Sequence, residues 1–180
     1  QRLRDVAQAA GATIRVRPVD LGGKVFPISG GLPLGKRAPQ RQAYRLVELK
    51  RFSEHLNVPL NPHPRFFPVG GDDASRLIIA VDLLEGAQAA LNITGAVLAA
   101  VWAQERNIAD PAVLAELLSE QGLPAQAMDK SHSQQVQECY ERYTQEAIDA
   151  GVFGAPSYVV DGEIFWGQDR LDYLQRRLQA

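Results

Sequence analysis

The tightest constraint on this chain lies near its end. Ser157-Tyr158-Val159-Val160 and Glu163-Ile164-Phe165-Trp166 are two apolar runs joined by Asp161-Gly162. An Asp-Gly pair readily takes the two left-handed positions of a tight turn, so runs joined this way read as a β-hairpin. A lone hairpin is only marginally stable in water and needs another element against one face. Residues 168–178 supply a helix, with Leu171, Leu174 and Leu178 on one side. The chain therefore ends strand, strand, helix.

Upstream, residues 1–10 have helical spacing, with Leu3, Val6, Ala7 and Ala10 on one face and Gly11 as the stop. Thr13-Ile14-Arg15-Val16-Arg17 alternates polar and apolar at period 2 and reads as a strand that Pro18 ends. Residues 21–42 are broken by Gly22-Gly23, Pro27, Gly30-Gly31, Pro33, Gly35 and Pro39. They read as a loop long enough to be functional or mobile. Residues 44–56 form a helix whose stripe of Leu46, Leu49, Phe52 and Leu56 is expected to be core. Residues 57–71 carry four prolines and read as loop. Two helices follow, over 72–84 and 87–105. The second is so apolar around Ala96-Val97-Leu98-Ala99-Ala100-Val101-Trp102 that burial on more than one face is expected. Asp110-Pro111 starts a helix over 112–121, with Asp as cap and Pro in the first turn. A last helix of this block, over 133–150, stops at Gly151.

Composition narrows the function classes. The 180 residues are 46% hydrophobic and 22% charged, as in ordinary globular domains, which excludes a disordered chain or a rod. A net charge of −2 disfavours a partner bound through phosphate neutralisation, so no nucleic-acid partner is expected. No run approaches 18 apolar residues, so no transmembrane helix is expected. The single cysteine, Cys139, forbids an internal disulfide, and no cluster has zinc-ligand spacing.

The order helix, strand, helical block, hairpin, helix becomes a thioredoxin-type plan if one more strand precedes the first helix. Gln1 stands where a helix is already under way, so the natural N-terminus is expected to lie upstream, with the central strand of the sheet on it. Without that strand, its neighbours would carry unpaired backbone groups. Such a chain is expected to be unstable, oligomeric or inactive.

Residues 151–171, Gly-Val-Phe-Gly-Ala-Pro-Ser-Tyr-Val-Val-Asp-Gly-Glu-Ile-Phe-Trp-Gly-Gln-Asp-Arg-Leu, resemble the C-terminal signature of the 2-hydroxychromene-2-carboxylate isomerase family. Its relatives are the kappa-class glutathione transferases and the DsbA-type disulfide oxidoreductases. The resemblance extends to Arg17-Pro18-Val19-Asp20-Leu21-Gly22-Gly23, to the helix over 44–52, and to Trp102 with Asp110-Pro111. It implies an α/β thioredoxin-like fold with an all-helical insertion. Residues 1–41 and 151–180 would form the thioredoxin-like domain and 42–150 the insertion.

The resemblance also implies site residues. Ala155 would precede a cis Pro156, leaving its backbone amide and carbonyl to face the site. Glutathione would add to them like an extra strand. Gln168 and Asp169, opening the last helix, would bind the γ-glutamyl end, with helix capping as the simpler alternative. Arg41 aligns with a lysine placed near the glutathione or substrate carboxylate, and the alternative there is a solvated charge. An Arg in that place changes a point charge into a planar fork. A family asparagine is replaced by Gly31. Phe153 and Trp166 are candidates for the substrate cleft, against core packing. His55, His63 and His132 read as surface or loop residues, and Cys139 as packing. The decisive residue of the family, a serine that stabilises the glutathione thiolate, is expected upstream of Gln1. Ser29, Ser53 and Ser157 do not match it.

The implied function is a glutathione-dependent cis–trans isomerase acting on 2-hydroxychromene-2-carboxylate-like intermediates of aromatic catabolism, with glutathione as cofactor. The alternatives are a kappa-like glutathione transferase, a DsbA-like thiol–disulfide oxidoreductase and a non-catalytic module that holds glutathione or a peptide. A cytoplasmic location and a homodimer are further expectations, and no membrane partner is expected.

Overall fold

The hairpin forms where its residues require it. In the computed structural model, which describes residues 1–180, β1 (Ser157–Val160) pairs antiparallel with β2 (Glu163–Trp166) in the register Val160↔Glu163 to Ser157↔Trp166. Asp161 at φ 49° and Gly162 at φ 83° supply the two left-handed positions of the turn. Helices make up most of the remainder: α1 (Arg2–Ala9), α2 (Phe26–Ser29), α3 (Pro39–Leu56), α4 (Asp72–Glu85), α5 (Ala87–Trp102), α6 (Pro111–Glu120), α7 (Gln126–Ser131), α8 (Gln134–Asp149) and α9 (Leu171–Leu178).

Contacts divide the chain into two units. The first holds Gln1–Gly31 and Glu138–Ala180, the second Leu32–Gln137. In the first, α9 packs on α1 and on both strands. Its core is Phe165, Leu171 and Leu174, flanked by Leu3, Val6, Tyr158, Val160 and Leu178. Tyr158 and Phe165 stand opposite each other in the ladder, so one face of the hairpin is covered. Arg177 of α9 closes the turn from below, pairing with Asp161 at 2.8 Å and Glu163 at 3.2 Å.

Residues 13–17, expected as a strand, pair with no other strand. Their exposure nevertheless alternates as the sequence does: Ile14 and Val16 are half-buried, while Thr13, Arg15 and Arg17 are exposed. A strand is defined by its ladder partner, and residues 13–17 have none here. The segment is instead tied to α8. Arg17 pairs with Glu146 and lies over the Tyr143 ring, and the Asp20 amide donates to Thr144 Oγ1 at 3.0 Å.

The expected long loop over 21–42 is largely made of short helical turns. Asp20 Oδ1 accepts from the Gly23 amide at 2.7 Å and starts a π-helical turn over Leu21–Val25. Pro27 sits in the first turn of α2, and Gly30 at φ 76° stops it. α3 begins five residues earlier than the expected start at residue 44, because Pro39 is pre-organised for a first helical turn. The stripe itself is only half-buried, and no residue of α3 is fully buried.

In the second unit, α4 packs on α5, α6 and α7. Five consecutive residues, Leu77 to Val81, are buried. α5 was expected to be buried on more than one face. It buries Ala90, Ile93, Val97, Ala100 and Val101 along essentially one stripe, and Leu98 remains 55% exposed. Hydropathy marked the more apolar helix, but burial went to the helix with neighbours on three sides. The short α7 carried no clear period and was not foreseen.

Candidate active site

Residues 153–169 bring several expected site residues together in the first unit. Phe153 and Trp166 meet at a centroid distance of 5.0 Å, with their rings tilted by 57°. They are 44% and 51% exposed, so neither is a core residue. The ladder explains Trp166: it lies opposite Ser157, on the hairpin face away from Tyr158 and Phe165. Val159, two residues along that face from Ser157, is also exposed. Gly154 makes the aromatic pair possible, since a Cβ there would stand 2.5 Å from Trp166 Nε1.

Ala155 and Pro156 lie between them, joined by a cis peptide bond. Ser157 Oγ donates to the Gly154 carbonyl at 2.7 Å, and the Gly167 amide donates to the Pro156 carbonyl at 2.9 Å. Both bonds close around Ala155 without using its own backbone groups. Ala155 is exposed, with its N–H and C=O unpaired within the chain. This is the arrangement that an extended ligand backbone can bond. Ser157 is thus committed to a turn.

Gln168 and Asp169 follow in a short 3-10 turn ahead of α9. Gly167, at φ 107°, is a backbone position that other residues rarely adopt, and a Cβ there would sit 2.5 Å from Asp169 Oδ1. Gln168 Oε1 accepts from Arg2 Nη1 at 2.9 Å, and Asp169 pairs with Arg170 at 2.7 Å. Sequence reasoning missed Arg2. Its contact with Gln168 spans 166 positions, and no local pattern encodes that. Burial pushes the Tyr158 phenol above its ordinary range, and the nearby Arg2 charge offsets part of the rise.

Arg41 lies in the second unit, exposed in the first turn of α3. Gly31 has a local reason: a Cβ there would meet the Phe26 ring at 2.2 Å, so an asparagine would displace that ring. His55, His63 and His132 are exposed, and Cys139 is buried with Arg142 Nη2 at 3.2 Å from its sulfur. No group of three His, Cys, Asp or Glu side chains is placed to hold a metal ion. An open cleft of the second unit, about 490 Å³, is lined by apolar and polar residues including Leu46, Val47, Leu60 and Pro62, and by none of the expected site residues.

The fold and the cis-proline hairpin point to a class, and the comparisons agree. The DSBA-like thioredoxin domain matches residues 1–179. A 2-hydroxychromene-2-carboxylate isomerase from Pseudomonas putida is 32% identical over 178 residues, 97% of this chain and 84% of that protein. Among solved structures, a 2-hydroxychromene-2-carboxylate isomerase superposes with a TM-score of 0.77 at 26% identity, covering 99% of this chain and 85% of that one. The cytosolic disulfide reductase DsbM from Pseudomonas aeruginosa, solved with GSH, shares the fold at a TM-score of 0.64 and 18% identity over 99% of this chain and 91% of that one. The chain belongs to the DSBA-like thioredoxin domain family and, within it, to the 2-hydroxychromene-2-carboxylate isomerase family. Its fold is the DsbA-like thioredoxin fold, rich in helix and with a small two-stranded sheet. The reaction class of its family is isomerisation.

Proposed function

We propose that this protein is a glutathione-dependent cis–trans isomerase of 2-hydroxychromene-2-carboxylate-like substrates. One observation carries the reading: the exposed, unpaired backbone of Ala155 beside the exposed Phe153–Trp166 pair. The Ala155 amide and carbonyl bond the peptide backbone of glutathione as an added strand. Asp169 takes the γ-glutamyl ammonium, Gln168 bonds the same end, and Arg2 and Arg170 beside them balance the ligand's carboxylate. Phe153 and Trp166 offer their ring faces to the aromatic substrate.

Held by Ala155, Gln168 and Asp169, glutathione would supply a thiolate nucleophile whose reversible addition to the substrate's conjugated double bond would allow ring opening and cis–trans rotation. Glutathione is regenerated, so its role is that of a cofactor. The protein contributes orientation and stabilisation of charge. Glutathione is the abundant thiol of reducing compartments, which favours the cytoplasm. Thiol–disulfide exchange at Cys139 is disfavoured by its burial.

Calorimetric titration of glutathione into the wild-type chain and Asp169→Ala tests the binding half of the proposal. Saturable binding that weakens about tenfold in the variant is expected for the loss of a charge-assisted contact. Equal affinity in both would sink the assignment of Asp169. A second assay follows ring opening of a 2-hydroxychromene-2-carboxylate substrate, with and without glutathione. Turnover that ignores glutathione would overturn the cofactor role.

A further inference from the structure

Four half-buried arginines lie in the second unit, Arg37, Arg45, Arg76 and Arg106, and two of them are neutralised. Arg76 pairs with Asp73, and Arg106 pairs with Glu116 at 2.8 Å and Glu120 at 3.0 Å. The third, Arg45 on α3, has neither an ion pair nor a hydrogen bond. Its guanidinium carbon stands 5.5 Å from the Phe67 ring centre and 5.5 Å from that of Trp102. The two rings are themselves 4.6 Å apart and tilted by 44°. Aromatic faces stabilise a cation on one side but give its N–H groups no acceptor.

The surroundings add positive charge rather than cancel it. Burial and then the nearby Arg37 lower the pKa of Arg45, whereas the hydrogen bonds that Arg106 donates to Glu120 and Glu116 raise its own. Arg37 itself donates only to the Leu32 carbonyl, at 2.9 Å. Arg41 stands one helical turn before Arg45 and is exposed. The acids of this region are engaged elsewhere. Glu48 lies 3.7 Å from Arg51, and Glu105 accepts from the Asn61 side chain and, at 2.6 Å, from the Arg65 amide.

We propose that Arg45, assisted by Arg37, binds the carboxylate of a planar aromatic ligand whose ring packs on Phe67 and Trp102. A partly desolvated cation attracts an anion more strongly than a fully solvated one does. The guanidinium fork matches a carboxylate in two-point geometry, so the charge also orients the ring. The platform is built before any ligand arrives. The Asn61 amide donates to the Trp102 carbonyl at 2.6 Å, and the Phe67 amide donates to the Pro64 carbonyl at 3.1 Å. Glu105, at φ 55° just beyond α5, ties Asn61 and Arg65 together and so holds the loop that presents Phe67. The site lies wholly on the second unit and shares no residue with the one read for the isomerase. The site itself needs no glutathione, so the two readings fail separately.

Benzoate is the test ligand, titrated without glutathione into wild type, Arg45→Met and Arg37→Gln, with benzamide and acetate as controls. Binding is followed by calorimetry and by Trp102 fluorescence in a Trp166→Phe background. Benzoate is expected to bind at least about tenfold more tightly than benzamide, which lacks the charge, or acetate, which lacks the ring. Arg45→Met keeps the apolar stem and is expected to lose about tenfold or more, while Arg37→Gln loses about threefold as a more distant charge. Should Arg45→Met fail to fold, Arg45→Lys keeps the charge without the fork and is expected to bind more weakly than wild type. Undiminished benzoate affinity in a folded Arg45 variant would overturn the site, as would absence of saturable binding to wild type. Equal affinity for acetate would overturn the aromatic part of the assignment.

Discussion

The two units bury their apolar residues on different scales. Seventeen of the twenty-four buried hydrophobic residues lie in Leu32–Gln137, and seven lie in the unit that carries the hairpin. α4 alone contributes six. The hairpin unit instead leaves Phe153, Val159 and Trp166 exposed on one face of a two-stranded sheet. The second unit also leaves large apolar side chains exposed, Val47 and Leu98 among them, so the difference is that the hairpin unit sets its exposed ones on one sheet face beside the unpaired backbone of Ala155. A second contrast, within the Leu32–Gln137 unit, separates Arg106 from Arg45: one is satisfied by two glutamates, while the other is held on rings with no side-chain acceptor.

The sharpest way to break this comparison is to cut each core. Leu77→Ala, at a position with no exposed surface, is expected to destabilise by about 2–5 kcal/mol, measured by chemical denaturation. Leu174→Ala, in the small cluster edged by half-buried residues, should fall at the low end, about 2 kcal/mol. If Leu174→Ala proved the costlier of the two, the contrast between the cores would be wrong.

Gly162→Ala forces a Cβ into the left-handed position of the hairpin turn and should cost about 1–2 kcal/mol. Arg177→Ala removes both ion pairs to the turn. With partners 75% and 55% exposed, the loss should stay below about 1 kcal/mol and shrink further in salt. The smallest effect is confined to alkaline pH. The folded Tyr158 phenol titrates above its unfolded value of about 10, so its contribution to stability is full below that pH and is lost as pH rises through the folded value. Tyr158→Phe should therefore flatten the alkaline limb of the stability profile, and an unchanged limb would refute the assignment.

Much of the hairpin unit was legible because its signals are local. Asp161-Gly162 encodes the turn, alternation encodes the faces, and Leu171, Leu174 and Leu178 encode the helix that covers one of them. Helix starts at Asp110-Pro111 and stops at Gly86, Gly122 and Gly151 are read from capping chemistry in the same way. The short turns over 21–36 were missed because each rests on one cap and one proline rather than on a period. The half-burial of α3 was missed because an apolar stripe shows which side is available to pack, not what lies against it.

The sequence alone therefore determined the hairpin, the helical block, the family signature and the candidate residues around Ala155, since each is set by hydrogen bonds and spacings within a few positions. Tertiary structure decided which of those residues meet. It put Arg2 against Gln168, buried α4 more deeply than the more apolar α5, and set Arg45 on Phe67 and Trp102 with no acid in reach. Contacts between residues distant along the chain depend on how whole elements pack, and no local pattern records that.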